Sequence, residues 1–283
     1  MSSTVAIVNW NSGRRLRTCI ESLLGTTTKA EILVVDNASD DDSMEMIQGF
    51  RNRVNIISNS VNRGFAGAIN QAFQTTDTPY VLVLNPDVRV LPGAVSILEE
   101  FLNAQPKAGA AGGDVNENYL PRQLPTVRSL VRENFGLRKI IGGDTPPQSR
   151  QQPVQVEQAA ASAIMIRRDA YESVGGFDER FYPAWYEDVD FCVRLKASGW
   201  EVYFVPKAKF VHEGGYSAGA LGSEKFANAY YGNQVRYAQK HFGTTGSVAV
   251  RVSVAAGMLG RMIARPRKAA AYGKVLLGLL KKK

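Results

Sequence analysis

Three carboxylates, Glu187, Asp188 and Asp190, stand within four residues of one another, directly behind an approach rich in rings: Phe177, Phe181, Tyr182, Trp185 and Tyr186. Carboxylates at what reads as the opening of a helix can accept protons, and Trp185 offers a flat apolar face beside them. Asp190 stands four residues before Arg194, the spacing of a helical ion pair, and is expected to be structural. Four further polar clusters each follow a short apolar run: Asn9-Trp-Asn11-Ser12, Asp36-Asn-Ala-Ser-Asp40, Asn59 to Gly64, and Asn85-Pro-Asp87. Any one alone is ordinary turn and helix-cap chemistry. Asn62-Arg63-Gly64, with Gly67, marks a strand-to-helix junction where backbone N–H groups could face a phosphate, although the glycines also suit close helix packing. The spacing is neither G-x-G-x-x-G nor a P-loop, so dinucleotide and kinase readings lose their fingerprint.

The runs that must position these clusters read as strands at Thr4–Val8, Ile32–Val35, Val54–Ile57 and Tyr80–Leu84. Helical spacing separates them, as in Leu16, Cys19, Ile20, Leu23 and Leu24, then in Met44, Ile47 and Phe50, then from Phe65 to Phe73. The alternation predicts an α/β fold with a mostly parallel sheet and helices on both faces. Ligands of such sheets bind outside the carboxyl ends of the strands, and all four clusters end on that rim. From about 116 to 155, prolines, glutamines and arginines predict a mobile insertion over the sheet's edge, with a short helix around Val127–Leu137. Regular structure resumes at Ala163–Ile166.

The 283 residues carry 34 Lys and Arg against 26 Asp and Glu, a net charge of +8. The excess is local: residues 244–283 hold nine basic side chains and no acidic one, leaving the preceding 243 residues at −1. Ordinary apolar and charged fractions exclude disorder, collagen and a disulfide scaffold. Cys19 and Cys192, the two cysteines, form no zinc spacing and suit a reducing compartment. The N-terminus reads as a first strand and not a signal peptide. Val248–Ala264, interrupted by Arg251 and Arg261, is expected to stop short of a transmembrane span.

Five segments in order, Val34–Asp41, Asn62–Asn70, Leu84–Asp87, Gly175–Arg194 and Val211–Ser217, give the chain a resemblance to the family 2 glycosyltransferases, over about Thr4 to Gly243. Within the family it looks most like bacterial rhamnosyltransferases. The resemblance implies a GT-A fold and an inverting, metal-dependent transfer from a nucleotide-diphospho-sugar. It implies Asp188 as the general base, Glu187 and Trp185 as acceptor contacts, and Asp36 as the reader of the nucleotide base. Asn11, Asn62, Arg63, Gly64, Asn85 and Asp87 are the remaining donor contacts it implies. Asp87 occupies the last position of the family's DxD, where Asn85 replaces the first Asp. With His212 it would hold a divalent ion, Mn or Mg.

The domains expected are a catalytic unit, 1–243, and a basic helical tail, 244–283. The unit comprises a donor half to about 115, the insertion, and an acceptor half from about 156. The tail's helices, Val248–Ala264 and Ala269–Leu280, suit either an anionic membrane surface or packing on the catalytic unit, and a homodimer is a third arrangement. The reaction expected is transfer of a sugar, rhamnose from a dTDP donor, to a lipid-linked or polysaccharide acceptor of cell-envelope glycan synthesis. The enzyme would sit in the cytoplasm, peripheral at the inner face of the membrane. The alternatives are a UDP-sugar donor (hexosamine, hexose or galactofuranose), an inert nucleotide-sugar-binding homologue, and a nucleic-acid-binding protein. No aromatic-plus-basic motif supports the last.

Overall fold

The computed structural model describes residues 3–26, 29–115, 121–137, 151–159, 161–212 and 221–281. Strands β1 (Ser3–Asn9), β2 (Glu31–Asp36), β3 (Asn55–Ser58) and β4 (Tyr80–Leu84) lie side by side in the order β3-β2-β1-β4, all parallel. In β1, β2 and β4 the apolar runs are continuous because both faces are covered, while the edge strand β3 is only partly buried. Val5, Ile7, Val34, Leu82 and Leu84 meet α1 (Arg14–Leu24) and α4 (Ala94–Ala104), while Ala6, Val8, Leu33, Val35 and Val83 meet α3 (Gly64–Thr75) on the other side. Between β2 and β3 the expected single helix is a short α2 (Ser43–Met46) followed by a 3-10 turn, Gln48–Phe50.

Beyond β4 the sheet changes direction. β8 (Ala163–Arg167) runs antiparallel between β4 and β6 (Ala108–Asp114), and the long β9 (Glu201–His212) pairs parallel with β6. β7 (Val154–Val156) and β5 (Val88–Val90) complete the sheet, each antiparallel to β9. A register shift at Gly113 and Asp114 bends this region. A side chain at Gly113 would collide with the Ala208 carbonyl and the Phe210 ring, so the irregularity needs glycine. The bend delivers the far end of β9 to β5, with Val88 opposite His212.

A third core belongs to helices. Helices α5 (Val127–Asn134), α8 (Ser223–His241), α9 (Gly243–Ala264) and α10 (Ala269–Lys281) bury Leu130, Tyr237, Val250, Val254, Met258 and Val275 among themselves. Phe181, Tyr186 and Val189, from the aromatic approach and the start of α7 (Glu187–Ala197), join them; α6 (Arg168–Ser173) lies apart, behind β8. The buried Asn134 amide donates to Ser253 Oγ at 2.9 Å. One face of the basic tail therefore packs on the rest of the chain. Among the described residues, α9 is also the one helix long and apolar enough to cross a membrane.

The segment 116–155 contributes α5, whose N-terminus is closed by a reciprocal Thr126–Ser129 box, and the start of β7. Residues 116–120 and 138–150, part of the expected mobile insertion, lie outside the described residues, as do 213–220 and the last two lysines. Met258 is fully buried at the α9 seam. Met258→Ala is expected to lower stability by about 2–5 kcal/mol, read as a fall in the urea midpoint. An unchanged midpoint would show that the tail is not part of the fold.

Candidate active site

Parallel register brings the polar clusters together. Asn9 is paired with Asp36, and Asp36 with Ser58, so three strand ends share one rim. Buried Asn9 donates through Nδ2 to Asp36 Oδ1 at 2.8 Å, and Ser39 Oγ donates to the same oxygen at 2.6 Å. Asp36 Oδ2 receives only the longer contact from Ser39 N, 3.3 Å, which leaves it acceptor capacity. Asn11, at φ 50°, trades hydrogen bonds with Asp40: Nδ2 donates to its carboxylate at 2.6 Å, and Asp40 N donates back at 2.8 Å. Ser39 Oγ also accepts from Asn11 N, so Asn11 and Asp36 belong to one network.

The Asn62–Gly64 junction is used differently from the sequence expectation. Gly64 N donates to Asn62 Oδ1 at 2.7 Å and Phe65 N to the Pro183 carbonyl at 2.7 Å, so these N–H groups are engaged within the protein and do not face a phosphate. Gly64 has φ +76°, and a Cβ there would stand 2.9 Å from both the Pro183 carbonyl and the Tyr182 ring. The glycine thus lets α3 abut the aromatic approach, across the cis Tyr182–Pro183 bond. Gly67 serves close packing too, against Arg63 and Glu179. The Arg63 side chain is the group left to meet an anion; its 3.8 Å contact with Glu179 is half exposed and weak.

Asn85 and Asp87 continue the rim. Asn85 N donates to the Ser162 carbonyl at 3.0 Å, and Val88 N closes the turn on the Asn85 carbonyl. Asp87 immediately precedes β5, and the pairing of Val88 with His212 sets its carboxylate beside the imidazole. Asp87 Oδ1 and His212 Nε2 are 3.0 Å apart, both nearly buried. An oxygen and a nitrogen ligand atom meet here, a pair of the kind that divalent ions take. No third acidic, histidine or cysteine side chain joins them among the described residues.

Ser162, whose carbonyl takes Asn85 N, and Gln158, which meets the acidic pair, stand four residues apart in the chain. Gln158 Nε2 donates to Asp188 Oδ2 at 3.1 Å, while Val189 N donates to Oδ1 at 2.9 Å. Burial pushes the Asp188 carboxyl above its ordinary value, against these donors, which favour the charged form. Burial and the adjacent Asp188 push Glu187 up much further, and Glu187 Oε2 has no hydrogen-bond partner among the described residues. Trp185 and Tyr186 both sit at φ 74° and are held there by α8. Asn233 donates to the carbonyls of Tyr182, Ala184 and Trp185 at 3.2, 2.9 and 3.2 Å, and Gln234 donates to Tyr186 OH. The Trp185 ring stands edge-on to Phe226. Asp190, with no exposed surface, meets Arg194 at 2.8 Å, Lys240 at 2.7 Å and His241 at 2.8 Å.

Residues 4–175 match the family described as Glycosyl transferase family 2, and residues 150–214 match the N-terminal domain of galactosyltransferase. The chain belongs to the family 2 glycosyltransferases. The enzyme is 30% identical, over 84% of its own length and 85% of the relative's, to an N-acetylglucosaminyl-diphospho-decaprenol L-rhamnosyltransferase of Mycobacterium tuberculosis. Among solved structures it resembles GalNAc-T7 with UDP, GalNAc and Mn2+ (TM-score 0.61, 17% identity, 75% of this chain and 43% of that one). It also resembles the mannosyltransferase PcManGT of Pyrobaculum calidifontis with GDP-Man and Mn2+ (0.57, 14%, 99% and 86%). These likenesses establish the GT-A fold of the transferase.

In this glycosyltransferase hydrogen bonds join Asn11 to Asp36 through Ser39, Asp87 to His212, and Gln158 to Asp188. Sequence reasoning missed the residues that do the positioning: Asn9 and Ser39 on Asp36, Gln158 on Asp188, and Asn233 under the aromatic approach. The Asn9 and Ser39 clusters carried a signal by sitting at strand ends; Gln158 and Asn233 carried none. Replacing Gln158 by Leu removes a donor that favours the charged Asp188, so the pKa rises. If Asp188 acts as a base, the acid limb of the pH–rate profile should move to higher pH, with activity recovering above it. A limb that stays in place would separate Gln158 from the base.

Proposed function

We propose that this transferase moves a sugar from a nucleotide-diphospho-sugar to a lipid-linked acceptor of cell-envelope glycan synthesis, by single displacement with inversion. Asp188 takes the proton of the attacking hydroxyl, and its carboxylate is oriented for this by Gln158 and the Val189 N–H. Glu187 and Trp185 orient the acceptor ring. Asp36, with one oxygen saturated by Asn9 and Ser39, accepts the N–H of the nucleotide base through the other. Asn11, Asn62, Arg63 and Asn85 line the donor.

The observation that carries the reading is the meeting of Asp87 and His212, 125 residues apart in the chain, within 3.0 Å on the rim that also bears Asp36. Asp87 and His212 would hold Mn or Mg, which when bound stabilises negative charge on the leaving diphosphate. Asn85 in place of an aspartate leaves fewer anionic ligands, so the donor's own phosphates have to complete the shell. L-rhamnose from a dTDP donor is the transfer favoured, since the mycobacterial relative is named for that sugar and for a diphospho-decaprenol acceptor. Such an acceptor places the enzyme in the cytoplasm, at the inner face of the membrane as a peripheral protein.

Thermal unfolding with dTDP-, UDP- and GDP-sugars, each with and without Mn, tests the donor, because a ligand of the folded state raises its apparent stability. dTDP-rhamnose with Mn is expected to give the largest rise, and Asp87→Ala to lose it. A UDP-sugar giving the largest rise would reassign the donor. Asp188→Asn should retain donor binding and lose transfer by several orders of magnitude; full activity would remove Asp188 as the base.

A further inference from the structure

We propose that the outer face of α9, with the basic corner that follows it, docks the enzyme on an anionic bilayer, the helix lying in the plane of the interface. The biological sense of this rests on the lipid-linked acceptor reading; the argument rests on the surface. Val248, Val252, Leu259 and Ile263 are 52, 60, 53 and 85% exposed. Spacings of four, seven and four residues set them on one stripe of the helix. Single exposed apolar residues are ordinary, but a stripe of four is a binding surface.

What covers it follows from charge. Directly after α9 come Arg265, Arg267 and Lys268, all exposed and in no ion pair among the described residues. Residues 244–283 carry no acidic side chain at all. An apolar stripe ending in a cationic corner matches a lipid interface, with alkyl groups at the acyl boundary and cations among the headgroup phosphates. A second copy of the chain would bring the same basic corner against its like. The helix lies flat and does not span, because its opposite face is occupied. Val250, Val254 and Met258 are fully buried against α5, α8 and α10, and Ser253 is bonded to Asn134. Packing on the catalytic unit and contact with the membrane are therefore two faces of one helix, where the sequence presented them as alternatives.

Removing the tail would strip the core as well, so the test uses surface substitutions in the full chain. Binding is measured by co-sedimentation with phosphatidylcholine vesicles, with and without phosphatidylglycerol. The wild type should bind the anionic vesicles and be released by salt. Val252→Asp with Leu259→Asp, and separately Arg265→Glu with Arg267→Glu and Lys268→Glu, should each weaken binding roughly tenfold or more. Both variants should keep the wild-type unfolding temperature and the wild-type rate on a short-chain, water-soluble acceptor, and lose rate on a long-chain acceptor embedded in vesicles. Loss of transfer to both acceptors by the wild type would sink the transferase reading and leave the vesicle result standing. Unchanged vesicle binding in both variants overturns the docking surface. A dimer in the wild type that Val252→Asp with Leu259→Asp converts to monomer, vesicle binding being unaltered, would assign the stripe to a second copy and overturn it too.

Discussion

A carboxylate with no exposed surface has to be met by partners within hydrogen-bond distance, since burying its charge alone costs several kcal/mol. Asp190 imposes this on the region where α7 meets α8. Its three partners come from two elements, Arg194 from its own helix α7, and Lys240 and the His241 imidazole from the end of α8. Helix α7 begins with Glu187 and Asp188, so the clamp that satisfies Asp190 also fixes where the acidic pair stands relative to α8. Helix α8 in turn holds the strained backbone at Trp185 and Tyr186 through Asn233 and Gln234. Satisfying one buried charge thus aligns the acidic pair, the aromatic approach and the seat of the tail.

The donor half relies on neutral contacts instead. Parallel register places the ends of β1, β2 and β3 on one rim, and amides and hydroxyls from Asn9, Asn37, Ser39 and Asn59 link them. The Asn37 amide reaches the Gly64 carbonyl, and the Asn70 amide reaches the Phe177 carbonyl, which joins the donor half to the start of the acceptor half. The short contacts to Asp36 come from the amide of Asn9 and the hydroxyl of Ser39.

How legible this was follows from the range of each interaction. The first four strands and the clusters behind them could be read because apolar runs and turn residues are local patterns, and parallel order then forces their ends together. The ion pair between Asp190 and Arg194 was legible for the same reason. Its pairing with Lys240 and His241 was not, since nothing local sets a helix fifty residues on against α7. Gln158 and Asn233 lie in stretches with no periodic signal, and each acts through a partner distant in sequence. The Gly64 N–H turns back to Asn62, a local bond, while the Phe65 N–H goes to a carbonyl at 183, which no pattern near residue 65 announces. The tail's helices were legible as helices, but which face would be covered depended on α5 and α8.

The contact between Gly64 and Pro183 bears on how this scaffold can diversify. The aromatic approach reads, in the sequence, as a cassette exchangeable among relatives. Here the cassette has a fixed boundary: residues 178–186 close on the first turn of α3 and are held from behind by α8. A graft of that segment into another member of the family would have to travel with a residue at position 64 that has no side chain, and with the amide at 233. The smallest transplantable unit of the aromatic approach is a three-piece block, discontinuous in the chain, and recombination at the obvious loop ends would break it.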